Sequence, residues 1–183
     1  MIALYSERLR LRSLTSSDWA NFLAINQDSE INIFVRQVES SEEIRTKFEQ
    51  RLLPWVFESG AWLTLVIEEL STGEFVGFSG FHCVDLMLKR AEVGYLLSSK
   101  YQGKGYATEA LQCVIDWGAL AFDIHKYIGF CDVRNTGSAN VMIKCGFKQE
   151  GLLRENSKIG ESWSDDFFLG YWLKREFSIC LSE

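Results

Sequence analysis

Glu92-Val-Gly-Tyr-Leu-Leu-Ser-Ser-Lys-Tyr-Gln-Gly-Lys-Gly-Tyr-Ala-Thr-Glu-Ala-Leu111 organises the reading of the whole chain. Ala91 to Leu97 is a β-rich run. Ala107, Ala110, Leu111, Val114, Ile115, Ala119 and Phe122 then recur at helical spacing. Between them, Gln102-Gly-Lys-Gly105 is a glycine loop. Strand, glycine loop and helix in that order place unpaired N–H groups and the positive end of a helix dipole where backbone can approach closely, which makes a cradle for phosphate oxygens. The plain alternative is a loop whose glycines serve only a sharp turn. Two nucleotide-binding patterns fail on these residues. The P-loop needs Lys followed by Ser or Thr, and Lys104 is followed by Gly105; the dinucleotide fingerprint needs a third glycine, and Thr108 stands there.

Upstream, Leu9, Leu11 and Leu14 alternate with Arg8, Arg10 and Arg12, which suits a half-buried strand. Thr15-Ser-Ser-Asp18 offers caps for a helix carrying Trp19, Phe22, Leu23 and Ile25. Residues 27–39 lack a period and read as a loop. Ser40-x-x-Glu43 is a capping box before a helix with Ile44, Phe48 and Leu52, which Pro54 ends. Leu63–Ile67 and Phe75–Phe81 flank the turn-like Ser71-Thr-Gly-Glu74 and read as an antiparallel hairpin, extended by Ala91–Leu97. Downstream, Tyr127–Val133 reads as a strand and Ser138–Cys145 as a short helix ended by Gly146. Phe147–Leu153 and Phe167–Leu173 read as the last strands. The pattern predicts an α+β fold with a predominantly antiparallel sheet and one strand-helix-strand crossover. With no repeat, no linker and a single proline, residues 1–183 are expected to form one domain.

Composition narrows the function. Hydrophobic residues make up 47% of the 183 and charged residues 24%, enough for a packed core and against disorder. Lys and Arg number 19 against 25 Asp and Glu, a net charge of −6, the wrong sign for holding nucleic acid by its phosphates and the right one for a cationic partner. No apolar run approaches the ~18–20 residues of a membrane span, and no basic leader precedes an apolar stretch, so no membrane association and a cytoplasmic location are expected. Cys83, Cys113, Cys131, Cys145 and Cys180 are odd in number and lack C-x-x-C spacing, which predicts reduced thiols rather than disulfides or zinc. His82 and His125 lie far apart, and no metal is expected.

The stretch Glu92–Leu111 resembles the coenzyme A-binding core of the GNAT superfamily of N-acetyltransferases, whose [QR]-x-x-G-x-[GA] motif falls on Gln102, Gly105 and Ala107. Asn135-Thr-Gly-Ser138 with Lys144-Cys-Gly146-Phe147 is similar to the N-x-x-S-x(5)-K-x-G-F signature of the ribosomal-protein (Rim-type) branch. Residues 6–14, S-E-R-L-R-L-R-S-L, with Asp18 resemble that branch's opening. The resemblance implies the GNAT (acyl-CoA N-acyltransferase) fold, a mixed, mostly antiparallel central sheet flanked by helices, with splayed middle strands. It implies acetyl-CoA as cosubstrate and direct transfer to a primary amine. The acceptor it suggests first is a protein N-terminal α-amine. A small cationic amine, polyamine or aminoglycoside-like, is the second possibility, and a non-catalytic acyl-CoA sensor the third. Many relatives form homodimers.

Carried onto this chain, the resemblance assigns the pyrophosphate to main-chain N–H groups across Gln102, Gly103, Lys104, Gly105, Tyr106 and Ala107. Tyr95, Leu96 and Leu97 would line the pantetheine arm, with Leu96 or Leu97 N–H as oxyanion donor. Glu92 would be the general base, Ser138 a proton donor to the thiolate, and Asn135 a partner of the pantetheine amide. The alternatives are a salt-bridged strand carboxylate for Glu92 and ordinary helix capping for Asn135 and Ser138. Glu109, Asp132, Asp165 and Asp166 are competing carboxylates. Met142 stands where many members carry a tyrosine acid, which leaves Ser138, a water or no group in that role. Cys131 and Cys145 fall near the expected thioester and read as packing residues. So do Trp19, Phe22, Trp55, Phe57 and Trp62, although the loop Asp28–Glu39 and the helix after it would border the acceptor pocket.

Overall fold

The computed structural model describes residues 1–173; Cys180 lies outside them. Strands β1 (Ala3–Tyr5), β2 (Leu9–Ser13), β3 (Leu65–Glu69), β4 (Phe75–Asp85), β5 (Arg90–Leu97), β6 (Lys126–Asp132), β7 (Lys148–Ile159) and β8 (Ser162–Trp172) form one sheet. Their order across it is β1-β2-β3-β4-β5-β6-β8-β7. Every neighbouring pair is antiparallel except β5 and β6, which are parallel and joined through α4 (Tyr106–Phe122). That pair is the one crossover the sequence predicts.

The buried run Leu65-Val-Ile67 in β3 serves both faces of the sheet. Leu65 and Ile67 join the larger core, where Ala110, Leu111, Val114 and Ile115 of α4 pack. Val66 turns to the other face and meets Phe22 and Ile25 of α1 (Trp19–Gln27) and Ile44 and Phe48 of α3 (Ser41–Leu52). Alternation with period two is what lets one strand divide its side chains between two helix layers. Helix α5 (Thr136–Lys144) adds Ala139 and Met142 to the larger core.

The capping box forms as read. Ser40 Oγ accepts from the Glu43 N–H at 3.3 Å, and the Glu43 carboxylate accepts from the Ser40 N–H at 2.8 Å. The α3 helix stops at Leu52, two residues before Pro54. The alternating arginines of β2 also have a structural use: Arg12 donates through both Nη atoms to the buried Asp18 carboxylate, each at 2.8 Å, and through Nε to Glu68 at 2.7 Å.

Three features differ from the sequence reading. Strand β1 is only three residues long, too short to show a period. The segment 27–39 contains one helical turn, α2 (Ser29–Asn32), because the Asp28 carboxylate caps the N–H groups of Glu30 and Ile31. The last two strands extend into a long hairpin, β7 with β8. Its register shifts twice, between Gln149 and Gly151 and between Leu153 and Ser157, which breaks the alternation that marks a strand in sequence.

Strands β5 and β6 pair only at Arg90–Lys126, Ala91–Tyr127 and Glu92–Ile128. Beyond that point β5 stays with β4 as far as Leu97–Gly77, and β6 stays with β8 as far as Asp132–Asp166. The sheet opens into a wedge at its centre, the expected splay. Because the Ser40–Glu43 box satisfies donors that α3 otherwise leaves open, Ser40→Ala is expected to lower stability by about 1 kcal/mol in urea unfolding, without altering the site.

Candidate active site

Two cavities meet in the wedge. One, of about 510 Å³, is bounded by the carboxyl end of β5, the glycine loop and α5. The other, of about 360 Å³, lies toward Glu92, Trp62 and the α1–α3 side. Phe34, Val35, Tyr95, Leu96, Asn135 and Ser138 belong to both walls.

The direction of the β5 backbone follows from one hydrogen bond. Ser98 N–H donates to the Val76 carbonyl at 3.0 Å, which fixes the alternation of the β4–β5 ladder. Gly94 and Leu96 thus turn their main-chain groups to β4, while Tyr95 and Leu97 turn theirs into the wedge, past the last β5–β6 pair. Of the two expected oxyanion donors, Leu96 has its N–H aimed at the neighbouring strand. Leu97 points into the wedge but lines only the larger cavity; Tyr95 points into it where the cavities join.

In the glycine loop, Gly103 and Gly105 adopt φ of 72° and 82°, in the left-handed region that glycine enters without strain. Gly105 is the N-cap of α4 and no side chain caps that helix, so its first-turn N–H groups keep no side-chain acceptor. Gly103, Gly105, Tyr106, Ala107 and Thr108 line the larger cavity beside them. An uncapped helix end flanked by two positive-φ glycines fits a pyrophosphate. Gln102 lines the same cavity and donates its side-chain amide to the Leu97 carbonyl at 3.1 Å, tying loop to strand. The Lys104 side chain lies 5.5 Å from the Tyr101 ring and is not part of the cavity wall.

The loop has a clamp the motif does not show. Arg8 donates to the Lys104 carbonyl at 3.1 Å, pairs with Glu109 at 2.7 Å and lies 4.4 Å over the Tyr106 ring. Burial works to raise the Glu109 carboxyl, but hydrogen bonds from Arg8 and Ser6 outweigh it and hold the group low. Glu109 is therefore committed to holding the loop.

Glu92 lines the smaller cavity. It stands opposite His82 across the β4–β5 ladder, with His82 Nε2 3.3 Å from its Oε2, and the Trp62 ring covers His82 at 4.4 Å between centroids. Gly94 makes that placement feasible, since a Cβ there would stand 3.1 Å from the Trp62 ring. His82 and Trp62 were not singled out as site residues by the sequence. The contact of His82 with Glu92 depends on strand register, which a turn spanning residues 86–89 sets.

On the α5 side, Asn135 Oδ1 accepts from the Ser138 N–H at 3.0 Å, so the capping arrangement is real and also holds Ser138 in place. Tyr95 Oη donates to the Ser138 carbonyl at 2.8 Å and lies 3.0 Å from Ser138 Oγ. Burial pushes the Tyr95 phenol well above its usual range, so it stays protonated at neutral pH. Met142 is 2% exposed and lines the smaller cavity.

The other carboxylates are engaged. Asp165 pairs with Arg154, and Asp166 accepts from Asn156 at 2.9 Å and Ser157 at 3.2 Å. The Arg134 fork, with Nε at 2.8 Å, holds the Asp132 carboxyl down at about 2. Burial raises the thiols of Cys131 and Cys145, each to about 11, which keeps both protonated and unreactive at neutral pH. Among the described residues no three His, Cys, Asp or Glu side chains gather as a metal site requires, and no helix is long and apolar enough to cross a membrane.

Residues 8–148 match the Acetyltransferase (GNAT) domain. The chain belongs to the GNAT acetyltransferase family. A curated N-acetyltransferase of Bacillus licheniformis, p20, is 28% identical over 97% of this chain and 99% of its own length. A GNAT-family acetyltransferase structure from Bacillus anthracis superposes with a TM-score of 0.82 at 26% identity, covering 93% of this chain and 98% of that one. Over shorter stretches, the ribosomal-protein-serine acetyltransferase of Escherichia coli is 30% identical across 50% of this chain and 51% of its own. Spermidine N(1)-acetyltransferase from the same organism is 32% identical across 44% of each. The protein is thus an N-acetyltransferase of GNAT fold with acetyl-CoA as its cosubstrate.

Two outcomes follow for this GNAT site. Arg8→Ala releases the glycine loop and is expected to raise KM for acetyl-CoA roughly tenfold, about 1.4 kcal/mol, with a smaller change in kcat, measured by thiol release. Asp132 has a folded pKa of about 2 against an ordinary 3.8, so its contribution to stability is complete above the higher value and vanishes as pH falls through the lower. In Asp132→Asn, the loss of stability between about pH 4 and 2 should be shallower than in the wild type, read by chemical unfolding at stepped pH.

Proposed function

We propose that the larger cavity holds the pantetheine and pyrophosphate of acetyl-CoA, that the smaller one takes the amine, and that the thioester lies where they meet, beside the Tyr95 N–H. The observation that carries this reading is the open backbone edge of β5 at that junction, with Glu92 and Ser138 on its two sides. Glu92 accepts the proton that the amine sheds as its nitrogen bonds to the thioester carbonyl carbon. The carbonyl oxygen becomes an oxyanion and takes a hydrogen bond from the Tyr95 N–H, preferred to Leu96 and Leu97 for its direction and its place. Collapse of that intermediate breaks the carbon–sulfur bond, and the Ser138 hydroxyl donates to the departing thiolate. His82 orients the Glu92 carboxylate. Asn135, whose oxygen caps α5, offers its NH₂ to a pantetheine carbonyl.

For the acceptor, the reading favoured here is an α-amine of the kind found at a protein N-terminus, in line with the ribosomal-protein relative. The spermidine relative makes a polyamine the second reading, and the net charge of −6 agrees with it. Two guanidinium groups on the wall of the smaller cavity weigh against a polycation there.

Glu92→Gln should bind acetyl-CoA as the wild type does and lose about 10²- to 10⁴-fold in kcat toward whichever amine is turned over. Calorimetric titration with CoA and thiol release with peptides, polyamines and aminoglycosides check both halves. Retained turnover in Glu92→Gln would overturn the base assignment. CoA binding with no turnover of any amine would favour a sensor.

A further inference from the structure

The smaller cavity carries a charged pole for which the transfer chemistry has no use. Arg36 and Arg51 both line it. Arg36 Nη1 donates to Asn26 Oδ1 at 3.1 Å and Arg51 Nη1 to Thr64 Oγ1 at 2.9 Å, both neutral acceptors. Arg51 is also flanked by the rings of Phe22, at 5.8 Å, and Trp62, at 5.9 Å. Neither guanidinium makes an ion pair among the described residues. Glu39 is near enough for its charge to favour the charged form of both; its Oε1 is bonded to Lys47 and its Oε2 is buried without a hydrogen-bond partner, so it bonds neither guanidinium. Burial lowers both arginines, and the charge of Arg36 lowers Arg51 further, to about 10. Ser79 Oγ is buried in the lining of the same cavity with no hydrogen-bond partner.

Two like charges drawn out of water next to each other, with no contacting counter-ion, destabilise a fold. Each is nonetheless fixed by one hydrogen bond, which leaves the remaining donors of its planar fork for a ligand, and the fork matches carboxylate or phosphate oxygens. Glu92 and Asp166 on the same wall have the opposite sign, and Glu92 takes the amine in the reading above. We propose that the acceptor is a primary amine carrying its own anionic group, a carboxylate or a phosphate, which Arg36 and Arg51 hold while the amine lies at Glu92. The inference rests on the smaller cavity being the acceptor site. It makes the acceptor zwitterionic although the chain as a whole is acidic, because two fixed cations at contact range outweigh a diffuse surface charge screened by salt.

The test uses matched acceptors: γ-aminobutyrate and phosphoethanolamine against butylamine, peptides starting Ser-Asp against Ser-Asn, and spermidine. The expected result is a kcat/KM at least about tenfold higher for the anionic member of a pair, with spermidine poorest. Which pair shows the largest ratio separates carboxylate from phosphate and free amine from peptide. Arg36→Gln and Arg51→Gln should each lower that ratio about tenfold, and Arg51→Lys should keep part of it. Because removing one of two neighbouring like charges relieves their repulsion, the Gln variants should melt at or above the wild-type temperature. A fall in melting temperature with the ratio unchanged would mark the arginines as structural and overturn the proposal. So would equal rates within pairs or a preference for spermidine. If no amine is turned over although CoA binds, the transfer reading fails by itself. The pole is then read by titrating N-acetylglutamate, whose binding should weaken about tenfold in each Gln variant; no binding to the wild type overturns it.

Discussion

The backbone ladder between β5 and β6 stops after Glu92–Ile128, and the rest of the site depends on that interruption. Each strand continues in a full antiparallel ladder on its other side, so the wedge costs only the hydrogen bonds between the two, and those groups become available to a ligand. The same break fixes where the chemistry can occur. Glu92 is in the last pair, Tyr95 is beyond it, and their side chains fall on opposite faces of the sheet by strand alternation. Glu92 and the Tyr95 phenol, three residues apart on one strand, thus reach the wedge from its two faces.

The wedge does not collapse because it is propped. Tyr95 reaches from β5 to Ser138 on α5, the helix that follows β6, and bonds both its carbonyl and its hydroxyl. Gly129, one residue past the last pair in β6, leaves room for the Met142 thioether, which lies 2.5 Å from where a Cβ would stand. Met142 at this position is therefore given over to packing. The phenol that remains near the junction, Tyr95, comes from the opposite strand and is committed to positioning Ser138.

Much of this was legible in the sequence, for reasons that are local. Gly103 and Gly105 need left-handed backbone, Asn135-x-x-Ser138 is a cap, Ser40-x-x-Glu43 is a capping box, and each signal sits within a few residues of its effect. What was not legible is set by register and by long loops. His82 meets Glu92 only because the β4–β5 turn has its particular length. Arg8 meets Lys104 across nearly a hundred residues, where the sequence shows only one more arginine in an alternating strand. The loop holding Arg36 and the helix holding Arg51 were expected to border the acceptor pocket, but no local pattern marked either arginine as a wall residue. That the main-chain groups of Leu96 face β4 while those of Tyr95 and Leu97 face the wedge follows from ladder parity, which no composition or motif contains.

Charge shows the same limit. A net charge of −6 invites a cationic partner, yet the carboxylates around the wedge are largely spent: Asp132 on Arg134, Asp165 on Arg154, Glu109 on Arg8. Carboxylates paired in this way contribute little field at the cavity, since each is neutralised within hydrogen-bond distance. Arg36 and Arg51, by contrast, bond to neutral acceptors and make no contact ion pair among the described residues. Asp166, on the same wall, is likewise held only by neutral donors, so the smaller cavity carries charges of both signs that a count of acidic and basic residues does not reveal.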